Sequence, residues 1–266
     1  MEKQYYYAYS QYLKDKYGEK VYKLPVNLPV TCPNKKDGKG CLFCAEAGTG
    51  FEASDSSVSV FEQLAESRTK VEKRYHAHKF IAYFQNYTNT FLPLDRLLGY
   101  MEEASKVEDI VEISISTRPD CIRQDYLEAF YEFSSRTGIE VSIELGLQTV
   151  NYHTLMEMNR GHGLAEFIDA VLRIAPYRFP VCVHMILNLP GDTMEDAEES
   201  ARILSALPIS MVKLHSLYIP KQCELYEKYI RGEIGSGQKN PGALHFLPPE
   251  EALAVKPDSE KEDEVQ

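Results

Sequence analysis

Nowhere in its 266 residues does the chain string together the roughly 20 apolar residues that a bilayer-spanning helix needs, and none of its runs reads as a membrane span. The first residues, MEKQYYYAYSQYLKDKYG, lack the apolar segment of a secretory leader, so the protein is expected in the cytoplasm without a membrane partner. Positive charge is scarce. Lys and Arg number 29 against 40 Asp and Glu, a net charge of −11, which disfavours broad phosphate binding but leaves room for a local basic groove. The six cysteines also lack the spacing of a disulfide framework. Three crowd between positions 32 and 44, while Cys121, Cys182 and Cys223 stand singly; in a reducing compartment that distribution points to a metal site.

What the chain does have is alternation. From about residue 79, apolar β-rich runs alternate with helical patterns roughly every 30 to 35 residues, the βα signature of a parallel sheet. Strands are predicted over 22–30, 79–85, 111–116, 140–147, 181–189 and 211–218, and helices over 58–77, 94–106, 123–136, 164–176 and 193–206. The last helix is predicted to open with a capping box of Asp192 and Glu195. Six βα units suit a partial (β/α)6 TIM-like barrel, since a closed eight-fold barrel takes about 250 residues. The expected organisation is an N-terminal helical extension over 1–21, the partial barrel over 22–225, and an acidic, disordered tail over 226–266.

The crowded cysteines form the loop Cys32-Pro-Asn-Lys-Lys-Asp-Gly-Lys-Gly-Cys41-Leu-Phe-Cys44, a C-x8-C-x2-C pattern after the first predicted strand. Thiolates on such a loop can converge on one soft metal centre. Three ligands on a four-iron cube leave one iron open to a substrate or cofactor. A structural zinc site is the alternative, completed by a histidine such as His184 or His215; three inert thiols are another.

The cysteine loop is followed by YFQNYTNT (83–90), STRPDCI (116–122), ELGLQT (144–149), NRGH (159–162) and LNLPGD (187–192). In this order the motifs resemble the uncharacterised bacterial radical S-adenosylmethionine (SAM) proteins of the YhcC/YtqA type, over about residues 5–225. More distantly the core is similar to the elongator catalytic subunit and oxygen-independent coproporphyrinogen oxidase. The resemblance implies an enzyme that uses a 4Fe-4S cluster and SAM to make a 5'-deoxyadenosyl radical. It implies Cys32, Cys41 and Cys44 as cluster ligands, Phe43 as a shield, and the turn Gln85 to Thr88 against the methionyl amine. Gln148 would meet the ribose and Arg160 the SAM carboxylate, with Glu144 offering a further cofactor contact. A flavodoxin or ferredoxin would supply the electron. The substrate class stays open between RNA and a small molecule of the porphyrin kind. Lys35, Lys36 and Lys39 give the RNA reading faint support, and a non-catalytic zinc scaffold is the remaining alternative.

Departures from the family pattern stand at three positions. Ser116 replaces a common glutamate, His184 an aspartate, and Asn188 the glycine of GLPG, where a side chain is expected to crowd the adenine. His162 and His215 are candidate proton donors or satisfied structural groups. Arg118 and Asp120 are expected to fix the turn after the third strand, the three single cysteines to pack as small apolar groups, and the tyrosines at positions 5–7 and 9 to belong to a helix packed on the barrel.

Overall fold

The computed structural model describes residues 6–36, 38, 40–44, 54–217, 219–221 and 223–234. Six strands, β1 (Val21–Val26), β2 (Lys79–Phe84), β3 (Ile110–Thr117), β4 (Glu140–Gln148), β5 (Val181–Leu187) and β6 (Met211–Ser216), lie in sequence order in one sheet. Every neighbouring pair is parallel. Helices α1 (Tyr9–Tyr17), α2 (Pro33–Lys36), α3 (Val60–Tyr75), α4 (Leu94–Ser105), α5 (Gln124–Thr137), α6 (Tyr152–Glu157), α7 (Leu164–Ile174), α8 (Met194–Ser205) and α9 (Glu224–Ile230) complete the described elements. This is the curled, open half-barrel that the alternation predicts.

Strand periodicity of two sorts side chains between the two faces. Phe80, Ala82 and Phe84 of β2, Ile113 and Ile115 of β3, and Val141, Ile143, Leu145 and Leu147 of β4 are fully buried in the main core, with Leu97 and Met101 of α4, Phe130 of α5 and Phe167 of α7. The opposite face carries Lys23, Tyr83, Ser114, Glu144 and His184, which hydrogen-bond to one another across the barrel interior. One end of this interior is plugged. Leu13, with Tyr9, Tyr12 and Tyr17, packs α1 on Val21 and Ile81, and the Tyr17 hydroxyl donates to Glu112 at 2.6 Å and Glu140 at 2.9 Å. Of the four N-terminal tyrosines expected in a packed helix, Tyr9 alone is seen there; Tyr6 and Tyr7 precede α1 and are exposed, and Tyr5 lies outside the described residues.

Three expectations are corrected. The capping box at the start of α8 is Thr193 with Asp196, one residue later than expected, because Gly191 at φ 95° carries the chain on past Asp192 before the helix begins. Strand β5 stops at Leu187, two residues early, where Asn188 turns into the left-handed region at φ 64°. Asparagine tolerates that conformation better than other side-chain-bearing residues, which gives a backbone reason for Asn at this position. Finally, the expected tail boundary cuts through α9. This helix buries Leu225 in a second core with Leu42, Met158, Leu189, Leu217 and Ile219, directly under the cysteine loop. The expected disorder of 235–266, like Lys39, lies outside the described residues.

Candidate active site

The cysteine loop leaves β1 and winds one short turn, with the Lys35 and Lys36 amides both bonded to the Cys32 carbonyl. It is then zipped to the NRGH loop that follows α6. The Asn34 side-chain amide donates to the Asn159 carbonyl at 2.6 Å and to the Cys41 sulfur at 3.5 Å. Asn159 in turn donates to the Gly40 carbonyl at 2.7 Å, and the Leu42 amide to the Met158 carbonyl. The Leu225 amide of α9 holds the Leu42 carbonyl from below. Gly161 has φ 74°, and a Cβ there would lie 2.9 Å from the Asn34 oxygen and 3.2 Å from Arg118. Only glycine gives both the turn and the clearance.

The two loops close over a cavity of about 170 Å³ at the carboxyl ends of the strands, where β/α barrels place their chemistry. All nine side chains singled out from the sequence border it: Cys32, Cys41 and Cys44, Phe43, Gln85, Thr88, Glu144, Gln148 and Arg160. The structure thus brings together residues separated by up to 128 positions. The sulfurs are close enough to act on one another. Burial pushes the Cys44 thiol up, Lys35 pulls it down, and Cys41 and Cys32 push it up again.

Arg160 is buried, with Nη1 3.5 Å from the Cys41 sulfur and Nη2 donating to the Gly146 carbonyl, which leaves its buried Nε–H without a partner among the described residues. Such an orphan donor is costly unless a ligand meets it. The Gly146 position is bare for a reason, since a Cβ would lie 2.8 Å from both Arg160 Nη2 and Gln148 Nε2. Gln148 follows the register break between β4 and β5 and adopts φ 83°. Backbone strain of this kind in a non-glycine residue clusters at functional sites.

Glu144, expected as a cofactor contact, borders the cavity with a carboxylate that is already engaged. Its carboxylate, almost fully buried, accepts from Tyr83 at 2.8 Å, Ser114 at 3.1 Å, His184 at 2.6 Å, and Lys23. Burial works against its charge, but the His184 hydrogen bond and Lys23 outweigh it and hold the carboxyl well below its ordinary value. The protein already supplies four donors to this group. His184 places its other ring nitrogen 3.0 Å from His215 Nε2, so both its nitrogens are engaged within the barrel, and His215 does not border the cysteine cavity. Glu144, Cys182 and His184 do present ligand atoms within 4.8 Å of one another, but the ammonium groups of Lys23 and Lys213 act on the same spot and oppose a cation there.

Sequence reasoning missed Arg118 as a site residue. The extended conformation imposed before Pro119 carries its buried side chain from the end of β3 into the cavity wall. A second, larger groove of about 680 Å³ between α8 and β6 is apolar and, apart from Gln148, holds none of the expected site residues. Asn188 lines that groove and not the cysteine cavity.

Two histidines give the fold a pH dependence. Burial, with Arg160 and Arg118 nearby, lowers His162 to about 4; burial, with His184 and Lys213, lowers His215 to about 4. Below about 6.5 the unfolded chain takes up protons that the folded protein refuses, so stability rises with pH across the interval from about 4 to 6.5. The urea midpoint is expected to fall between pH 7 and 5, and to fall less in His162→Gln and His215→Gln. Parallel profiles for the variants and the parent would contradict this.

Comparison with known proteins agrees with the geometry. The sequence model of the radical SAM superfamily matches residues 26–204. The uncharacterized protein MJ0486 of Methanocaldococcus jannaschii is 33% identical over 233 residues, covering 87% of this chain and 72% of that protein. YhcC of Escherichia coli is 35% identical over 226 residues, covering 84% of this chain and 71% of the relative. The structure of Methanocaldococcus infernus Elp3 lacking its N-terminus superposes with a TM-score of 0.60 at 18% identity, over 80% of this chain, which spans only 50% of that structure. That last likeness bears on the fold alone. With a superfamily match running from β1 through α8 and the three thiols gathered at the mouth of the half-barrel, the chain belongs to the radical SAM superfamily.

Proposed function

We propose that Cys32, Cys41 and Cys44 ligate the 4Fe-4S cluster of a SAM-cleaving radical enzyme, and that SAM occupies the cavity beside them. Enzymes of this superfamily use such a cluster and SAM. The observation that carries the reading is the convergence of three thiols from one loop with Gln85, Thr88, Gln148 and Arg160 on a single cavity. The donor set suits the group: three soft sulfurs, free of disulfides, with guanidinium N–H groups turned toward two of them. When bound, cluster and SAM supply a 5'-deoxyadenosyl radical that abstracts a hydrogen atom.

The protein's part is to position and to exclude. The orphan Nε–H of Arg160 meets a carboxylate oxygen of SAM in a charge-assisted bond. Gln148 would offer its amide to the ribose hydroxyls, and the turn from Gln85 to Thr88 would receive the methionyl amine. Phe43 shields the sulfurs from water. Glu144 acts at one remove, holding Tyr83 and His184 in the cavity wall with Lys23 and Ser114 behind them. The electron comes from a reductant, which we take to be a flavodoxin or ferredoxin. The substrate class stays open between RNA and a small molecule entering at the open end; Lys35 and Lys36, which lie over the rings of Tyr87 and Phe91, place their charge near the cavity mouth and are the groups an RNA backbone would meet.

The test is anaerobic reconstitution with iron and sulfide, followed by SAM and dithionite and chromatography for 5'-deoxyadenosine. Its appearance supports the assignment. A spectroscopically intact four-iron protein that yields none, or a protein that takes up only zinc, overturns it.

A further inference from the structure

Arg118 stands apart from the cofactor contacts that the superfamily resemblance assigns. Its side chain is 5% exposed, and its guanidinium faces two ways. The Nε and Nη2 edge grips Asp120 in a bidentate pair at 2.9 and 2.8 Å. Nη1, which points away from that edge, is shared between the Arg160 carbonyl at 2.9 Å and the Cys32 sulfur at 3.8 Å. Burial disfavours the charge, yet the Asp120 carboxylate outweighs it and keeps the guanidinium charged. The carboxylate thus aims a fixed cation at a thiol of the cysteine loop, and the bond to the Arg160 carbonyl holds the NRGH loop in the same grip.

We propose that Arg118 tunes the cluster by donating an N–H···S hydrogen bond to the Cys32 sulfur and presenting its buried positive charge there, which raises the reduction potential. The inference rests on the cluster reading above. Reduction adds one electron to the cluster, and that negative charge is stabilised by nearby cations and by hydrogen bonds to the sulfurs. A planar fork fixed on one edge by a carboxylate keeps this geometry without further ordering. Arg118 is on this account a positioning residue, since it reaches the reacting atoms through a ligand.

The experiment compares cluster-loaded parent, Arg118→Lys and Arg118→Gln, without SAM, by redox titration followed with electron paramagnetic resonance, with iron and sulfide measured on each sample. The expected result is a smaller reduced fraction at any fixed potential in both variants, larger in effect for glutamine, which loses the charge as well as the fork. Resonance Raman should show an iron–cysteinyl sulfur stretch moved to higher frequency as the hydrogen bond is lost. A residue that merely braced the turn after β3 would lower thermal stability and leave potential and stretch in place; equal titration curves at equal iron content overturn the proposal. Should glutamine prevent assembly, the lysine variant decides the matter by the same criterion. If the parent protein itself assembles no four-iron cluster, the cluster reading falls and this inference with it, an outcome told apart by the iron and sulfide analysis.

Discussion

Cys41→Ser is expected to strip the protein of its cluster and cut 5'-deoxyadenosine formation by at least about 100-fold. Fe–S clusters are held by cysteine thiolates, and a serine hydroxyl stays protonated at neutral pH and is a far poorer ligand for a soft centre. Cys41 is the most informative of the three, being buried and approached by both Arg160 and Asn34 at 3.5 Å. The exchange of sulfur for oxygen is small, so far-UV circular dichroism should be unchanged, separating loss of metal from loss of fold. The controls are built into the chain. Burial, with Asp120 beside it, pushes the Cys121 thiol up to about 12, and burial with Glu144 nearby does the same to Cys182. Both stay protonated at neutral pH, and Cys121→Ser and Cys182→Ser should keep the full iron content. Equal iron in Cys41→Ser and the parent would show that these cysteines are not the ligands.

Glu144→Leu is expected to cost about 3–5 kcal/mol of stability, the range found when one member of a buried ion pair is removed and its partner left behind. Its carboxylate is a hub. Without it the Lys23 ammonium, the His184 ring, the Tyr83 hydroxyl and the Ser114 hydroxyl all lose an acceptor inside the barrel. For a domain of this size each kcal/mol corresponds to roughly 2–4 °C, so the cluster-free protein should melt roughly 6–20 °C lower. Glu144→Gln keeps an acceptor and should lose less. Because the folded carboxyl is held below its ordinary value, its contribution is present at neutral pH and lost as acid titrates it below about 4.5. Calorimetry on the cluster-free variants checks this directly. A melting point unchanged in Glu144→Leu, together with lost SAM binding, would return Glu144 to the role of cofactor contact.

The contrast between Cys41 and Glu144 shows where a linear reading succeeds. The thiols are neighbours in the chain, and C-x8-C-x2-C on a glycine-containing loop after a strand already says metal. Likewise the period-two runs of β2 to β5 and the amphipathic helices between them mark a parallel sheet, because each pattern is local and repeats before any tertiary contact is made. Gln85, Thr88, Gln148 and Arg160 all border the cysteine cavity: the first three stand at the carboxyl end of a strand or in the loop just beyond, and Arg160 in the loop that follows α6.

Other features were decided only in three dimensions. Glu144 lies 121 residues from Lys23 and 61 from Tyr83, and whether a lumenal carboxylate serves a ligand or its neighbours depends on which donors other strands bring to it. Arg118 reads as a turn residue until folding sets the Cys32 sulfur beside it. Helix α9 spans only seven residues, too short for periodicity to announce, and owes its place to Leu225 and the apolar underside of the cysteine loop. The end of β5 at Asn188 and the shifted capping box at Thr193 follow from single left-handed residues, Asn188 and Gly191, which permit that conformation without requiring it. Elements and candidate ligands were thus legible in the order of residues, because short-range pattern and spacing suffice to mark them. The partners of the buried charges were set by the barrel, because hydrogen bonds in a water-poor interior go to whichever groups the fold makes adjacent.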